Sequence, residues 1–214
     1  ILDIGGGGGF VSTAFLAAGY TPILVEPGLA AVLHAKSRGI EHLICATMQD
    51  IAIPDDSVAA AGAFDVIEHI EDDFGVLRDI HRFLRPGGRL YLTVPAFQWL
   101  WSDEDLLAGH FRRYTVDGLG QKLQDAGFDV TYISYLFRFL PLPLFLLRTL
   151  PYRLGRRRQA YDVAVHAREH TGGSNWTARM FEAMLAPEIA RIRKRRRMRI
   201  GTSCVVCATK PARR

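Results

Sequence analysis

Three groupings along the chain have residue types and spacings suited to chemistry. The first is Asp3-Ile-Gly5-Gly-Gly7-Gly-Gly9, an acid followed by a glycine run in which a ligand can lie against bare backbone with no Cβ in the way. Glu26 stands 21 residues beyond Gly5, a spacing that suits a carboxylate accepting hydrogen bonds from both hydroxyls of a ribose. The dinucleotide fingerprint G-x-G-x-x-G fails here, because Phe10 or Val11 occupies the third glycine position. The second grouping, Asp65-Val-Ile-Glu68-His69, reads in two ways. Its acids and histidine can gather around a divalent cation, or Glu68 and His69 can cap and pack the helix that follows. The third runs from Trp99 to Tyr114 and holds Trp101, Asp103, Asp105, His110, Arg112, Arg113 and Tyr114. Histidine takes up a proton near neutral pH, so His110 and His69 are the candidate general bases. Trp101, Arg112, Arg113 and Tyr114 are candidate substrate contacts; alternatively the arginines pair with local acids and the aromatics cover the sheet edge.

The elements that must position these groups alternate between short apolar runs and helical periods, the pattern of βαβ units with a parallel sheet. Strands are predicted over 1–4, 22–26, 42–46, 58–64, 89–94, 128–136 and 203–209. Helices are predicted over 10–18, 29–38, 72–85 and 116–126, with Pro86-Gly-Gly88 ending the third of them. In such a sheet ligands bind beyond the carboxyl ends of the strands, which is where the glycine run, Glu26 and Asp65 all fall.

The chain has 214 residues, 49% hydrophobic and 23% charged, which excludes a disordered tail, a collagen-like repeat and a disulfide miniprotein. Its net charge of +5 is unevenly placed. Residues 1–152 carry 11 Lys/Arg against 18 Asp/Glu, and residues 153–214 carry 16 against 4. Three cysteines, Cys45, Cys204 and Cys207, are too few for a disulfide framework and suggest a reducing, cytoplasmic setting. Cys204 and Cys207 are spaced C-x-x-C, but in a strand positions i and i+3 face opposite ways, so neither a redox pair nor a zinc half-site is expected. The opening on Ile1 inside an apolar run reads as a sequence trimmed at its start.

Four segments in order, Ile1-Leu-Asp-Ile-Gly-Gly-Gly-Gly-Gly9, Val25-Glu-Pro27, Phe64-Asp-Val-Ile-Glu-His-Ile-Glu-Asp-Asp73 and Leu84-Arg-Pro-Gly-Gly-Arg-Leu-Tyr-Leu92, resemble the successive motifs of class I S-adenosylmethionine-dependent methyltransferases. The resemblance covers about residues 1–136 and the last strand. It implies an α/β, Rossmann-like fold, a mostly parallel seven-stranded sheet ending in a C-terminal antiparallel hairpin, with S-adenosylmethionine as cofactor. Carried over by position, it implies that Asp3 and the backbone of Gly5 and Gly7 hold the methionine part, Glu26 the ribose, and Asp65 the neighbourhood of the methyl donor. Thr47 stands where the family places an acid against adenine, leaving Met48 and Asp50 as the candidates there. Asp65-Val-Ile-Glu68-His69 is similar to the E-x-x-E-H segment of ubiquinone-pathway O-methyltransferases. The segment from Trp101 to Tyr114 resembles a W-S-x-x-D-x-x-x-G-H-x-R-R-Y pattern in a bacterial subset of the family. An N-P-P-[YF]-type motif for amino-group methylation is absent, which disfavours nucleobases as acceptors.

Residues 137–199 read as a helical, basic insertion in the methyltransferase domain formed by 1–136 and 200–210. Phe139 to Leu147, bracketed by Arg138 and Arg148, is too short and proline-rich to span a bilayer. It suits either the membrane interface, with Arg156-Arg-Arg158 against lipid headgroups, or a core helix over the site mouth. Either favours a hydrophobic or lipid-like acceptor, and the chain as a whole reads as transferring methyl to a small-molecule or lipid-like acceptor, at oxygen rather than elsewhere. The run Arg191 to Arg199 lacks any nucleic-acid recognition motif and reads as a solvated or membrane-facing surface. The competing functions are a nicotinamide-dependent oxidoreductase and a non-catalytic RNA- or membrane-binding protein.

Overall fold

The structure, a computed structural model, describes residues 1–156 and 175–212. Seven strands, β1 (Leu2–Ile4), β2 (Ile23–Val25), β3 (His42–Ile44), β4 (Val58–Phe64), β5 (Leu84–Pro95), β6 (Asp129–Leu136) and β7 (Ser203–Thr209), form one sheet in the order β3-β2-β1-β4-β5-β7-β6. The first five pair in parallel, and β7 lies antiparallel between β5 and β6. This is the expected α/β sheet with its C-terminal antiparallel strands. Strand order reverses at β1, with Asp3 opposite Leu24 on one side and Gly62 on the other, so the ligand crevice of a doubly wound sheet opens above β1 and β4.

Helices α1 (Phe10–Ala17), α2 (Leu29–Ser37), α3 (Asp73–Phe83), α4 (Asp103–Ala108) and α5 (Val116–Asp125) pack on this sheet or lie at its carboxyl edge. Asp72 caps α3 by accepting from the Gly75 N–H at 2.8 Å, and Thr115 caps α5 by accepting from Gly118 at 3.2 Å. Val76, Leu77, Ile80 and Phe83 of α3 and Leu119 and Leu123 of α5 enter the core with Leu90, Leu92 and Val94 of β5. Each such side chain contributes about 1.5–3 kcal/mol by leaving water.

Two departures from the sequence reading have local causes. Helix α3 stops at Phe83 because Leu84 already pairs with Val58; Pro86-Gly-Gly88 is instead the irregularity before Arg89 pairs with Ala60. Helix α4 was hidden in the Trp99 to Tyr114 segment. Its start is a reciprocal cap in which the Ser102 N–H donates to Asp105 Oδ2 at 2.9 Å while the Ser102 side chain receives the backbone of the first turn. In β7, Cys204 is buried on one face and Cys207 points to the other, both as free thiols. Between β6 and β7 the described chain is helical over Pro141–Arg153, including a π-turn at Phe145–Thr149, and over Asn175–Arg193. Arg157 and Arg158 of the predicted lipid-facing trio lie outside the described residues.

Candidate functional site

At the carboxyl ends of β1, β2 and β4 lies a cavity of about 560 Å³, lined among others by Gly5, Val25, Glu26, Met48, Asp65 and His69. Its floor follows from the glycine run. Gly5, Gly7 and Gly9 all have positive φ, so the chain can turn from β1 into α1 only with residues that tolerate the left-handed region. Their surroundings differ: a Cβ on Gly5 would strike Val66 at 2.7 Å, whereas one on Gly7 would meet open space. Gly5 lines the cavity, and Gly7 leaves open space where a side chain would stand.

Asp3 is buried and accepts from the Ser12 hydroxyl at 2.5 Å; burial raises its pKa above the ordinary carboxylate range. It pins the glycine loop to α1. Glu26 Oε2 accepts from the Gly7 N–H at 3.2 Å and Oε1 from the Gly28 N–H at 2.9 Å, so one carboxylate joins the loops after β1 and β2 across the cavity wall. A carboxylate has about four acceptor positions, which leaves about two for a ligand's hydroxyls. Thr47, Met48 and Gln49 line the far wall. Asp50 does not line it; its carboxylate receives the Thr47 hydroxyl at 2.5 Å and ties the loop after β3 together. Gln49 was not singled out from sequence, because an uncharged side chain in an irregular loop carries no signal of its own.

Asp65 sits at the end of β4 with φ +54°, a strained setting for a residue other than glycine, and its N–H donates to the Thr93 carbonyl at 2.9 Å. Burial raises its pKa. Glu68 is fully buried, and neither carboxylate oxygen has a hydrogen-bond partner among the described residues. Burial first, with the nearby charges of Asp65 and Asp105 adding, pushes its pKa up to about 8. His69 lines the cavity, and its ring meets that of His110 edge-on with centroids 4.6 Å apart. Burial, then the neighbouring His110, lowers the His69 pKa. Ligand atoms of Glu68, His69 and His110 lie within 4.8 Å of one another, so the grouping that the fold assembles has His110 where the sequence spacing suggested Asp65.

The remaining candidates are arranged around two buried acids. Asp105 receives His110 Nδ1 at 2.9 Å and a two-pronged contact from Arg113, Nε at 2.7 Å and Nη2 at 3.0 Å. Burial works to raise the Asp105 pKa, but the hydrogen bonds from His110 and Arg113 prevail and hold it low. Asp73, at the start of α3, receives Arg112 at 2.7 Å, the Tyr114 hydroxyl at 2.8 Å and Lys122 Nζ. Burial opposes its ionisation, and Lys122, Tyr114 and Arg112 together overcome that and keep its pKa low. Arg112, Arg113 and Tyr114 thus brace the segment after β5 against α3 and α4, while Trp101 is half-buried beside the α4 cap. Neither these four nor the candidate base His110 lines the cavity; Phe111, which sequence reasoning passed over, does.

The methyltransferase domain family matches residues 1–133, well over half of the chain, and the chain belongs to that family, whose cofactor is S-adenosylmethionine. Over 100 residues it is 30% identical to the ubiquinone biosynthesis O-methyltransferase of Pseudomonas aeruginosa, covering 44% of this chain and 43% of that protein. The match therefore spans less than half the length of this curated relative. A chain in the complex between the Haloferax volcanii Trm112 methyltransferase activator and its methyltransferase aligns over 100% of this chain and 82% of that one, with a TM-score of 0.64 and 15% identity. An S-adenosylmethionine-dependent methyltransferase from Mesorhizobium loti aligns over 97% of this chain and 89% of its own, with a TM-score of 0.60 and 16% identity. These two likenesses establish the fold. The site fits the cofactor: open space over Gly7, a ribose-suited carboxylate at Glu26 and an apolar wall of Val25, Met48 and Ile70 occur together.

Proposed function

We propose that this chain transfers a methyl group from S-adenosylmethionine to a hydroxyl of a small-molecule or lipid-like acceptor. The observation that carries this reading is the meeting of His69 and Asp65 with the glycine-loop cavity. When bound, S-adenosylmethionine supplies a methyl group on a positively charged sulfur. The backbone at Gly5 and Gly7, with Glu26, would hold its methionine and ribose parts, and Val25, Met48 and Ile70 would enclose its base. Asp3 acts through Ser12 by fixing the loop.

A hydroxyl acceptor must shed its proton as the new bond forms, so the site needs a base that is neutral beforehand. His69, with its pKa lowered, is neutral at pH 7 and borders the cavity. When His110 Nδ1 donates to Asp105, its Nε2 is left as an acceptor beside His69. His69 can therefore take a proton from an acceptor hydroxyl at the Asp65 end of the cavity, with His110 packed behind it. Alignment of reacting groups about 3–3.5 Å apart supplies much of the remaining acceleration. Oxygen as the methylated atom draws support from the relative named a ubiquinone biosynthesis O-methyltransferase. The free thiols fit a reducing, cytoplasmic compartment.

The test is methyl transfer from radiolabelled S-adenosylmethionine to a panel of phenols with and without hydrocarbon tails, beside matched anilines. Label on the phenolic oxygen of tailed acceptors is expected. Label only on the amines would contradict the reading.

A further inference from the structure

The helical stretch Pro141–Arg153 buries Pro141 and packs Phe145 on Trp99, yet leaves several large apolar side chains facing water. Its inward side is fastened by a polar group, the Thr149 hydroxyl donating to the Leu100 carbonyl at 2.9 Å from a fully buried position. Arg153 adds a bond from Nη2 to the Trp99 carbonyl at 3.0 Å. The leucines point outward: Leu142, Leu146, Leu147 and Leu154 are between 49% and 68% exposed. A solvated helix places these types the other way. Trp99, Pro141, Leu142, Phe145 and Ile200 line a shallow apolar groove of about 350 Å³ beside them. Phe181 of the helix Asn175–Arg193 packs against Phe137 and Phe139, with ring centroids 6.1 and 5.8 Å apart, and exposed Met180 and Met184 extend the apolar surface from there.

Charge selects the occupant. Residues 137–156 hold four arginines and no acid, within a chain whose first 152 residues carry an excess of seven acids. Arg148 stands 3.7 Å from Glu104 and Arg138 3.9 Å from Glu188, long contacts that leave both arginine side chains about half exposed, so a face apolar at its centre and bordered by arginines matches a bilayer carrying anionic headgroups. Nucleic acid would set phosphates against leucines, and a second copy would set arginines against arginines. We infer that this face docks on anionic membrane, leucines in the acyl boundary and arginines at the headgroups. Among the described residues no helix is long and apolar enough to cross a membrane, so the contact is peripheral. The inference extends the lipid-like acceptor proposed above to a surface, and it is tested without cofactor or acceptor so that the two can fail separately.

The experiment is co-sedimentation of the whole chain with phosphatidylcholine–phosphatidylglycerol vesicles and with phosphatidylcholine alone. Binding to the anionic vesicles is expected, weakened by salt and reduced about tenfold or more by the combined Leu142→Ser, Leu147→Ser and Leu154→Ser changes. These leucines are highly exposed, so the variant should melt as the wild type does. In a second measurement, lipids brominated near the carbonyl should quench tryptophan emission, and Trp99→Phe should remove most of that quenching. Wild-type protein left in the supernatant by anionic vesicles overturns the inference, as does equal binding by the triple variant. So does a dimer in sedimentation equilibrium that the leucine changes dissociate.

Discussion

Glu68→Gln separates a buried neutral carboxyl from a buried charge. Glu68 has no exposure and no hydrogen bond to either oxygen among the described residues, so burial carries its pKa from the ordinary 4.5 to about 8. Because the folded-state value is the higher one, folding takes up a proton between the two. The contribution is fully present below the unfolded value and is lost as pH rises through the folded one. Each unit is about 1.4 kcal/mol, so the whole window amounts to roughly 4–5 kcal/mol. His69 and His81 have lowered pKa values, which makes them gain stability with rising pH, so the wild-type profile alone mixes both signs. Both proteins carry the histidines, so the difference between wild type and Glu68→Gln isolates Glu68 together with its coupling to His69, whose Nε2 stands 4.0 Å from Oε1. Urea unfolding from about pH 5 to about pH 8 should show that difference moving in the variant's favour by about 1.4 kcal/mol per unit. Any constant cost of an unpaired amide shifts the line and leaves its slope. Parallel profiles would mean that Glu68 is ionised in the folded protein, and the burial argument would fail.

Three more outcomes follow from the same geometry. Glu26→Ala removes the carboxylate that joins Gly7 to Gly28 and should weaken S-adenosylmethionine binding more than tenfold, at least about 1.4 kcal/mol by calorimetry; unaltered affinity would move the ribose site elsewhere. His110→Ala should lower turnover about a hundredfold or more with cofactor affinity unchanged, and equal turnover would remove His110 from proton transfer. Asp73→Asn deprives Arg112, Tyr114 and Lys122 of their shared carboxylate. It should cost about 2–3 kcal/mol in urea unfolding, less than a fully buried pair because both cations are partly exposed; unchanged stability would mean that the network does not brace the fold.

The sheet was legible because its strands are bounded by punctuation that a single sequence displays. Val58–Phe64 follows a Pro-Asp-Asp-Ser turn, and Ser203–Thr209 is a β-branched run with helical, charged residues before it. The cofactor side was legible for a similar reason: a glycine loop and a strand-end acid act through local backbone. The acceptor side depends on contacts between distant residues. His69 and His110 are 41 residues apart, and Arg112 and Tyr114 reach Asp73 over a comparable separation; reactive types in a dense segment do not reveal whether they face a cavity or a buried acid. The start of α4 was an available signal. Ser102-x-x-Asp105 is a capping box in plain view, overshadowed by the catalytic appeal of its neighbours.

The most direct test of the central claim is calorimetric titration of the wild-type chain with S-adenosylhomocysteine and, separately, with NADH. The geometry at Gly7 and Glu26 predicts one-to-one binding of S-adenosylhomocysteine and no binding of NADH. Binding of NADH alone would contradict it.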